Sequence, residues 1–259
     1  MSLKYKGYLL DLDGTMYRGM EKIPSAKRFI ERLQSNKIPF LFVTNNATRT
    51  PKEVAEHLAK NFDILVSEDT IYTSGIATID YLNEKKFGKK VMVIAENAIK
   101  EQLLQSDYEL VHEQPDVVVQ SLSRTVHYQE LEQATLAIRN GIPFVVTNED
   151  SNIPSERGFL PGSGATTAFL KTATQVEPIT MGKPNQPIML GALKKIGLTK
   201  DEVIMVGDNY QTDILAGVHA QMDTLMVLTG FSTRESIQHE VEQPTYIVET
   251  LDDWSLYED

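Results

Sequence analysis

The chain has 259 residues, 41% hydrophobic and 24% charged, with a net charge of -11 and no cysteine. That length leaves room for a substantial core and for two packed units. The absence of cysteine excludes disulfides, thiolate catalysis and cysteine-ligated zinc, and the acidic balance argues against a nucleic-acid polymer as partner.

No apolar stretch reaches the length of a membrane span, and no basic segment followed by an apolar one and a cleavage site opens the chain. The protein is therefore read as soluble, unexported and cytoplasmic, with no membrane partner. Its first legible element is an apolar run from Tyr8 that ends in Asp11-Leu12-Asp13-Gly14-Thr15. Two carboxylates two positions apart at a strand end share a side, and Gly14 allows the chain to turn. Ala26 to Gln34 carries Ala26, Phe29, Ile30 and Leu33 at helical spacing. Phe40 to Val43 is a continuous apolar run, the pattern of a buried parallel strand, and it ends in Thr44, Asn45 and Asn46. Thr50, Pro51 and Glu53 form a capping box that opens the next helix. Asp69 to Leu82 is predicted helical, and the charged stretch Lys85 to Lys90 reads as a linker.

A second alternating series follows: strands Val91 to Ala95, Asp116 to Gln120 and Pro143 to Thr147, helices Ala98 to Gln105 and Tyr128 to Arg139. Asn148 to Gly164, rich in Pro, Gly, Ser and Asn, reads as a long loop, functional or mobile, before a helix from Thr166 to Thr174. Phe-Leu-Phe-Val-Thr-Asn at 40–45 is echoed by Phe-Val-Val-Thr-Asn at 144–148, as two sheets of similar construction would give. Ile179 to Met181 ends at Gly182-Lys183-Pro184, and a helix follows over Ile188 to Ile196. Val203 to Val206 ends at Gly207-Asp208-Asn209, with Asp213 opening a helix through Ala220. Leu225 to Leu228 and Tyr246 to Val248 supply two further strands, and the acidic tail after Asp252 reads as a solvated terminus. Strands alternating with helices predict an α/β protein: a Rossmann-like doubly wound parallel sheet at 1–84 and 178–259, with a smaller α/β cap domain inserted at 85–177.

Parallel strands bring four polar ends to one sheet edge: Asp11 with Asp13, Thr44 with Asn45, Lys183, and Asp208 with Asp213. An acid pair, a hydroxyl with amide donors, a lysine and further acids suit metal-assisted phosphoryl transfer. In this order the residues resemble the four signature motifs of the haloacid dehalogenase superfamily. Val-Thr-Asn-Asn, the Gly-Lys-Pro form and the long insert resemble its NagD-like phosphatase branch. That resemblance implies hydrolysis of small phosphomonoesters, among them acid-sugar phosphates, sugar phosphates and nucleoside monophosphates. It makes Asp11 the nucleophile, available as a carboxylate at neutral pH, and Asp13 the proton carrier for leaving group and water.

Charge counting then calls for a cation. Asp11, Asp13, Asp208 and Asp213 bring four negative charges against one from Lys183, and a phosphate adds roughly two more. Mg2+ is the expected cofactor, held by the Asp11 and Asp208 carboxylates and the Asp13 backbone carbonyl. Asp213 and Asn209 stand behind those ligands, Asp213 holding a metal-bound water or Lys183. Thr44, Asn45, Asn46 and Lys183 are expected to bind the transferring phosphoryl group. Asn148, Glu149, Asp150 and Arg157 are weaker candidates for reading the leaving group, solvated loop polarity being the plainer role for each. The five histidines have no ligand spacing and read as structural or surface residues. A phosphomutase of the same fold and a non-catalytic phosphate binder are the competing readings, and oligomeric state, a homodimer included, is left open.

Overall fold

The computed structural model describes residues 2–155 and 157–258. The chain divides into two compact units. One comprises the residues up to Thr44, Pro51–Tyr72 and Lys183 onward; the other comprises Asn45–Thr50 and Thr73–Gly182.

The first unit is built on a six-stranded sheet whose centre is the strand Gly7–Leu10. On one side of it lies Phe40–Thr44 and then Ile71–Thr73; on the other lie Val203–Gly207, Asp223–Val227 and Tyr246–Val248. The pairings from Phe40–Thr44 across to Tyr246–Val248 are all parallel. The central strands are buried along their whole length, so their sequences run apolar without alternation. The strand order reverses direction at Gly7–Leu10, and in open α/β sheets ligands bind at the carboxyl ends beside such a switch point. Pro24–Ser35 forms the first helix, with proline at its start and Ala26, Phe29, Ile30 and Leu33 buried as the spacing predicted.

The second unit carries a five-stranded sheet in the order Ile179–Thr180, Phe144–Val146, Val117–Gln120, Lys90–Ile94, Glu109–Leu110, again with parallel pairings throughout. Its helices Tyr128–Arg139 and Ser163–Thr174 pack beside a core of Met92, Ile94, Val118, Phe144, Val146 and Leu170. The echoed segments at 40–45 and 144–148 are thus strand ends in two separately wound parallel sheets.

Five expectations need correction. The predicted helix over Asp69 to Leu82 is a short turn at Glu68–Thr70, the edge strand Ile71–Thr73, and a helix over Ser74–Lys85. Ile71 and Tyr72 are β-formers that bury at the sheet edge, and the Thr73 hydroxyl then accepts from the Ile76 amide to cap the new helix. The 84/85 boundary falls inside that helix, which belongs with the second unit; there the Tyr108 hydroxyl donates to Asn83 at 3.0 Å.

The loop over Asn148 to Gly164 contains an antiparallel hairpin, Asn152–Ser155 with Gly158–Pro161. Short exposed strands containing proline show no alternation, which hid it. Gly158 takes φ +106, open to glycine, and position 156 lies outside the described residues.

The helix expected from Asp213 begins as a π-helical turn over Tyr210–Ile214 and becomes α-helical only at Leu215–His219. The tail is not a freely solvated terminus: among its described residues Asp253 and Glu258 are exposed, but two of its apolar residues are buried. Trp254 and Leu256 are each 4% exposed, Trp254 stacks on Tyr5, and Lys4 N donates to the Leu256 carbonyl. Acidic residues flank two apolar anchors, and the anchors decide.

Candidate functional site

Each polar end in the first unit is delivered by a buried strand. Asp11 follows Gly7–Leu10 and its backbone N–H donates to the Val206 carbonyl at 2.9 Å, which ties it to the neighbouring strand. Asp208 follows Val203–Gly207 directly, and Asp213 is returned to the same strand end by the π-helical turn. The ligand oxygens of Asp11, Asp208 and Asp213 lie within 4.8 Å of one another. Lys183 is 3% exposed, and its ammonium donates to Asp11 Oδ1 at 2.6 Å and to Asp213 Oδ1 at 2.7 Å.

Neighbours fix these carboxylates. Asp208 Oδ1 accepts from the Thr15 hydroxyl and its Oδ2 from the Phe231 N–H at 2.6 Å. Asp213 Oδ2 accepts from the Asn209 N–H, while the Asn209 side chain caps its own turn by accepting from the Gln211 N–H. Space for the acids comes from glycine. A Cβ on Gly14, at φ +93, would meet Asp208 Oδ2 at 2.2 Å; one on Gly230 would meet the same atom at 1.9 Å; one on Gly207 would meet the Asp213 Cβ at 2.3 Å. Thr229 closes this cradle by donating to the Gly14 carbonyl at 2.6 Å.

The charges do not balance. Three ionised carboxylates around one ammonium leave an excess of negative charge in a largely buried site. Burial, and then the charge of Asp213, push the Asp11 carboxyl well above the usual carboxylate range despite Lys183. Burial and Asp213 push Asp208 up to about 7, against the pull of the Phe231 N–H and Thr15. Burial opposes the charge on Lys183, but Asp11 and Asp213 outweigh it and hold the ammonium above its ordinary range. The same negative excess thus raises acid and base together. A further cation beside Asp11 would favour its ionised form. A hard divalent ion with oxygen ligands fits, because the donor set is all carboxylate and spans no more than 4.8 Å.

Asp13 stands apart from this group: its carboxylate is exposed and accepts from the Gly19 N–H at 3.3 Å, where the chain turns back between the short strands Tyr17–Arg18 and Glu21–Lys22. Thr44 ends its strand at 6% exposure. Asn45 and Asn46, the next residues in the chain, cluster with the second unit. There the Asn45 side chain donates to Asp150 Oδ1 at 3.0 Å, and its carbonyl accepts from Asn148 Nδ2 at 2.8 Å. Asn148 is 5% exposed, so it is not solvated loop polarity; Glu149 accepts from Thr180, and Arg157 is exposed.

Sequence reading passed over Thr15, Thr229, Gly230 and Phe231, which grip Asp208 and Gly14. A signal for three of them was present, since Thr229-Gly230-Phe231 follows a buried strand of the same sheet. His57 packs edge-on against Tyr17 and Phe62, the His219 ring bonds the Pro184 carbonyl, and His112, His127 and His239 are exposed.

A family model described as haloacid dehalogenase-like hydrolase matches residues 8–109, and a second model of HAD-like hydrolases matches residues 180–254. The 5'-nucleotidase YutF of Bacillus subtilis is 44% identical over 253 residues, covering 98% of this chain and 98% of that protein. An acid sugar phosphatase of Staphylococcus epidermidis is 45% identical over 248 residues, covering 95% of each. The solved structure of NagD from E. coli K-12 superposes with a TM-score of 0.93 at 29% identity, covering 98% of this chain and 100% of that one. The chain belongs to the haloacid dehalogenase-like hydrolases, in their NagD-like phosphatase branch.

Proposed function

We propose that the protein is a Mg2+-dependent phosphomonoesterase of small phosphorylated metabolites, acid-sugar or sugar phosphates and nucleoside monophosphates, acting through an aspartyl phosphate. The observation that carries this reading is the Lys183 ammonium shared between Asp11 and Asp213 beside a third buried carboxylate. The substrate classes are those in the names of the acid sugar phosphatase and the 5'-nucleotidase.

Lys183 engages Asp11 Oδ1, which leaves Oδ2 as the attacking oxygen. Oδ2 forms a bond to phosphorus as the ester P–O bond breaks, and Asp13 gives its proton to the departing alkoxide. Water then attacks the phosphorus of the acyl phosphate, its proton passes to the Asp13 carboxylate, and Asp11 is released with inorganic phosphate. The Thr44 hydroxyl, the amides of Asn45 and Asn46, and Lys183 hold the phosphoryl oxygens as negative charge spreads over them. Asp11 and Asp208, with the Asp13 carbonyl, would hold Mg2+, and Asp213 and Asn209 would keep Lys183 and the ligands in place. The bound ion supplies the positive charge that keeps Asp11 ionised and offsets the incoming phosphate. In this reading the first unit is the catalytic core and the second is the cap domain that selects the leaving group.

The test is phosphate release from p-nitrophenyl phosphate and from a panel of sugar phosphates and nucleoside monophosphates, with Mg2+ and with chelator, for wild type and Asp11→Asn. Mg2+-dependent turnover abolished in Asp11→Asn is expected. Turnover indifferent to Asp11 would overturn the mechanism.

A further inference from the structure

A peptide group is planar and trans, so its carbonyl and the following N–H point in opposite directions and move as one. The Asn45 carbonyl therefore determines where the Asn46 N–H aims. That carbonyl is held by two side-chain donors, the Ser74 hydroxyl at 2.5 Å and Asn148 Nδ2 at 2.8 Å. Both donors are buried, Ser74 at 0% and Asn148 at 5% exposure.

Asn148 is itself held on three sides. Its Nδ2 also donates to the Thr147 hydroxyl at 3.3 Å, its Oδ1 accepts from the Asp150 N–H at 3.1 Å, and the Thr147 hydroxyl reaches Ser121 at 2.9 Å. Asp150 in turn accepts from Asn45 Nδ2 at 3.0 Å. Gly182 packs into the same group: a Cβ there would meet Asn45 Oδ1 at 2.6 Å, the Thr147 carbonyl at 2.7 Å and the Asn148 Cβ at 2.9 Å. Two segments that lead to phosphate-binding residues in the reading above, Asn45-Asn46 and Gly182-Lys183, thus pass through one buried polar node. A buried network of this kind is rigid only when every member is satisfied, and Asn148 satisfies its donors and its acceptor here.

We infer that Ser74 and Asn148 are positioning residues that aim the Asn46 amide at the phosphoryl group, with Asp150 fixing the Asn45 side chain; the inference rests on the phosphatase reading above. Their contribution is to the orientation of a donor rather than to the nucleophile or the cation site. Misdirecting one phosphate donor of a well-oriented set lowers kcat/KM by about 10- to 100-fold. Affinity for inorganic phosphate, which shares the phosphoryl oxygens and lacks a leaving group, falls with it.

The experiment measures kcat, KM and competitive inhibition by inorganic phosphate, together with thermal midpoints with and without Mg2+, in wild type, Asn148→Asp, Ser74→Ala, Asp150→Ala and Asp150→Asn. Asn148→Asp keeps the shape but replaces the donor with an oxygen facing the Asn45 carbonyl. The expected result is weaker inhibition by phosphate, by about tenfold or more, and a raised KM in the first three variants. The Mg2+-induced shift of the midpoint stays as in wild type, and Asp150→Asn, which retains an acceptor oxygen for Asn45 Nδ2, recovers phosphate inhibition relative to Asp150→Ala. Unchanged phosphate inhibition in active Asn148→Asp and Ser74→Ala would overturn the inference while leaving the phosphatase reading intact. So would a loss of phosphate inhibition that arrives only with loss of the Mg2+ shift and of the folded midpoint. A wild type without Mg2+-dependent turnover would overturn the phosphatase reading itself, and the inference with it.

Discussion

Lys183 and Asp11 meet at 2.6 Å in a site where the lysine side chain is 2% exposed and the aspartate 14%. Neither group is tolerable there alone: the ammonium is held by two carboxylates, and the carboxylates share a single ammonium. Removing one partner of a buried pair strands the other charge, and that costs about 3–5 kcal/mol. Lys183→Met is therefore expected to lower the thermal midpoint and to reduce kcat/KM by about 10²-fold or more. Calorimetry and steady-state kinetics on the purified variant check both, and activity within a few-fold of wild type would contradict the assigned role.

Cation binding to the three-carboxylate group should be visible as stability. A ligand that binds only the folded state at 100 times its dissociation constant adds about 2.7 kcal/mol. Mg2+ is expected to raise the melting temperature of the wild type, and chelator to reverse it. Asp208→Asn keeps the shape of a 2% exposed side chain while removing its charge and one of its two acceptor oxygens, and is expected to abolish the shift. An undiminished shift in that variant would place the ion elsewhere.

Gly230 offers a purely steric test. Alanine there puts a methyl group 1.9 Å from Asp208 Oδ2 and 2.7 Å from the Gly14 Cα, so the carboxylate or the backbone has to move. Forced repacking of this kind costs about 1–3 kcal/mol. Gly230→Ala should lose activity and the Mg2+ response together although it removes no functional group. A variant with normal kinetics would show that Asp208 has room that the structure does not provide.

At the opposite end of chemistry lies Trp254, 4% exposed, whose ring stacks on Tyr5 and whose Nε1 donates to the Tyr8 hydroxyl at 3.2 Å. Truncating a buried tryptophan costs about 3–5 kcal/mol. Trp254→Ala is expected to lower the urea midpoint strongly while leaving KM for the folded enzyme unchanged, since the Trp254 ring packs on Tyr5 and Tyr246. Little change in the midpoint would contradict the packing of the tail.

Glu202 supplies the pH dependence. The Lys6 ammonium and the Thr199 amide hold its carboxyl down at about 2, against an ordinary value of 4.5. A carboxyl depressed by folding stabilises fully above its unfolded value and loses that stabilisation as pH falls toward the folded one. The gap in urea midpoint between wild type and Glu202→Gln should thus be present at pH 7 and shrink between pH 4.5 and 2. Midpoints at pH 7 and near pH 3.5 measure it, and a gap that widened on acidification would refute the assignment.

Much of the site could be read from the chain because its chemistry sits at strand ends. A buried parallel strand announces itself as an uninterrupted apolar run, and whatever polar residue closes the run is carried to the sheet edge, so Asp11, Thr44 and Asp208 were locatable from pattern alone. Trp254 was not, because acidic neighbours dominate the tail and only contact with Tyr5 and Tyr8 shows that it is core.

The sequence by itself determined which residue types gather at the sheet edge, their order, and the negative excess that calls for a cation. Only the tertiary structure shows that the carboxylates of Asp11, Asp208 and Asp213 come within 4.8 Å of one another while the Asp13 side chain is exposed. It also decided that Asp11 sits well above its ordinary range, and that Thr15, Gly230 and Phe231 shape the space around Asp208. The physical reason is that burial and through-space charge depend on distances between residues far apart in the chain. Local pattern specifies each strand end, and only the packed sheet specifies how near one end lies to the next.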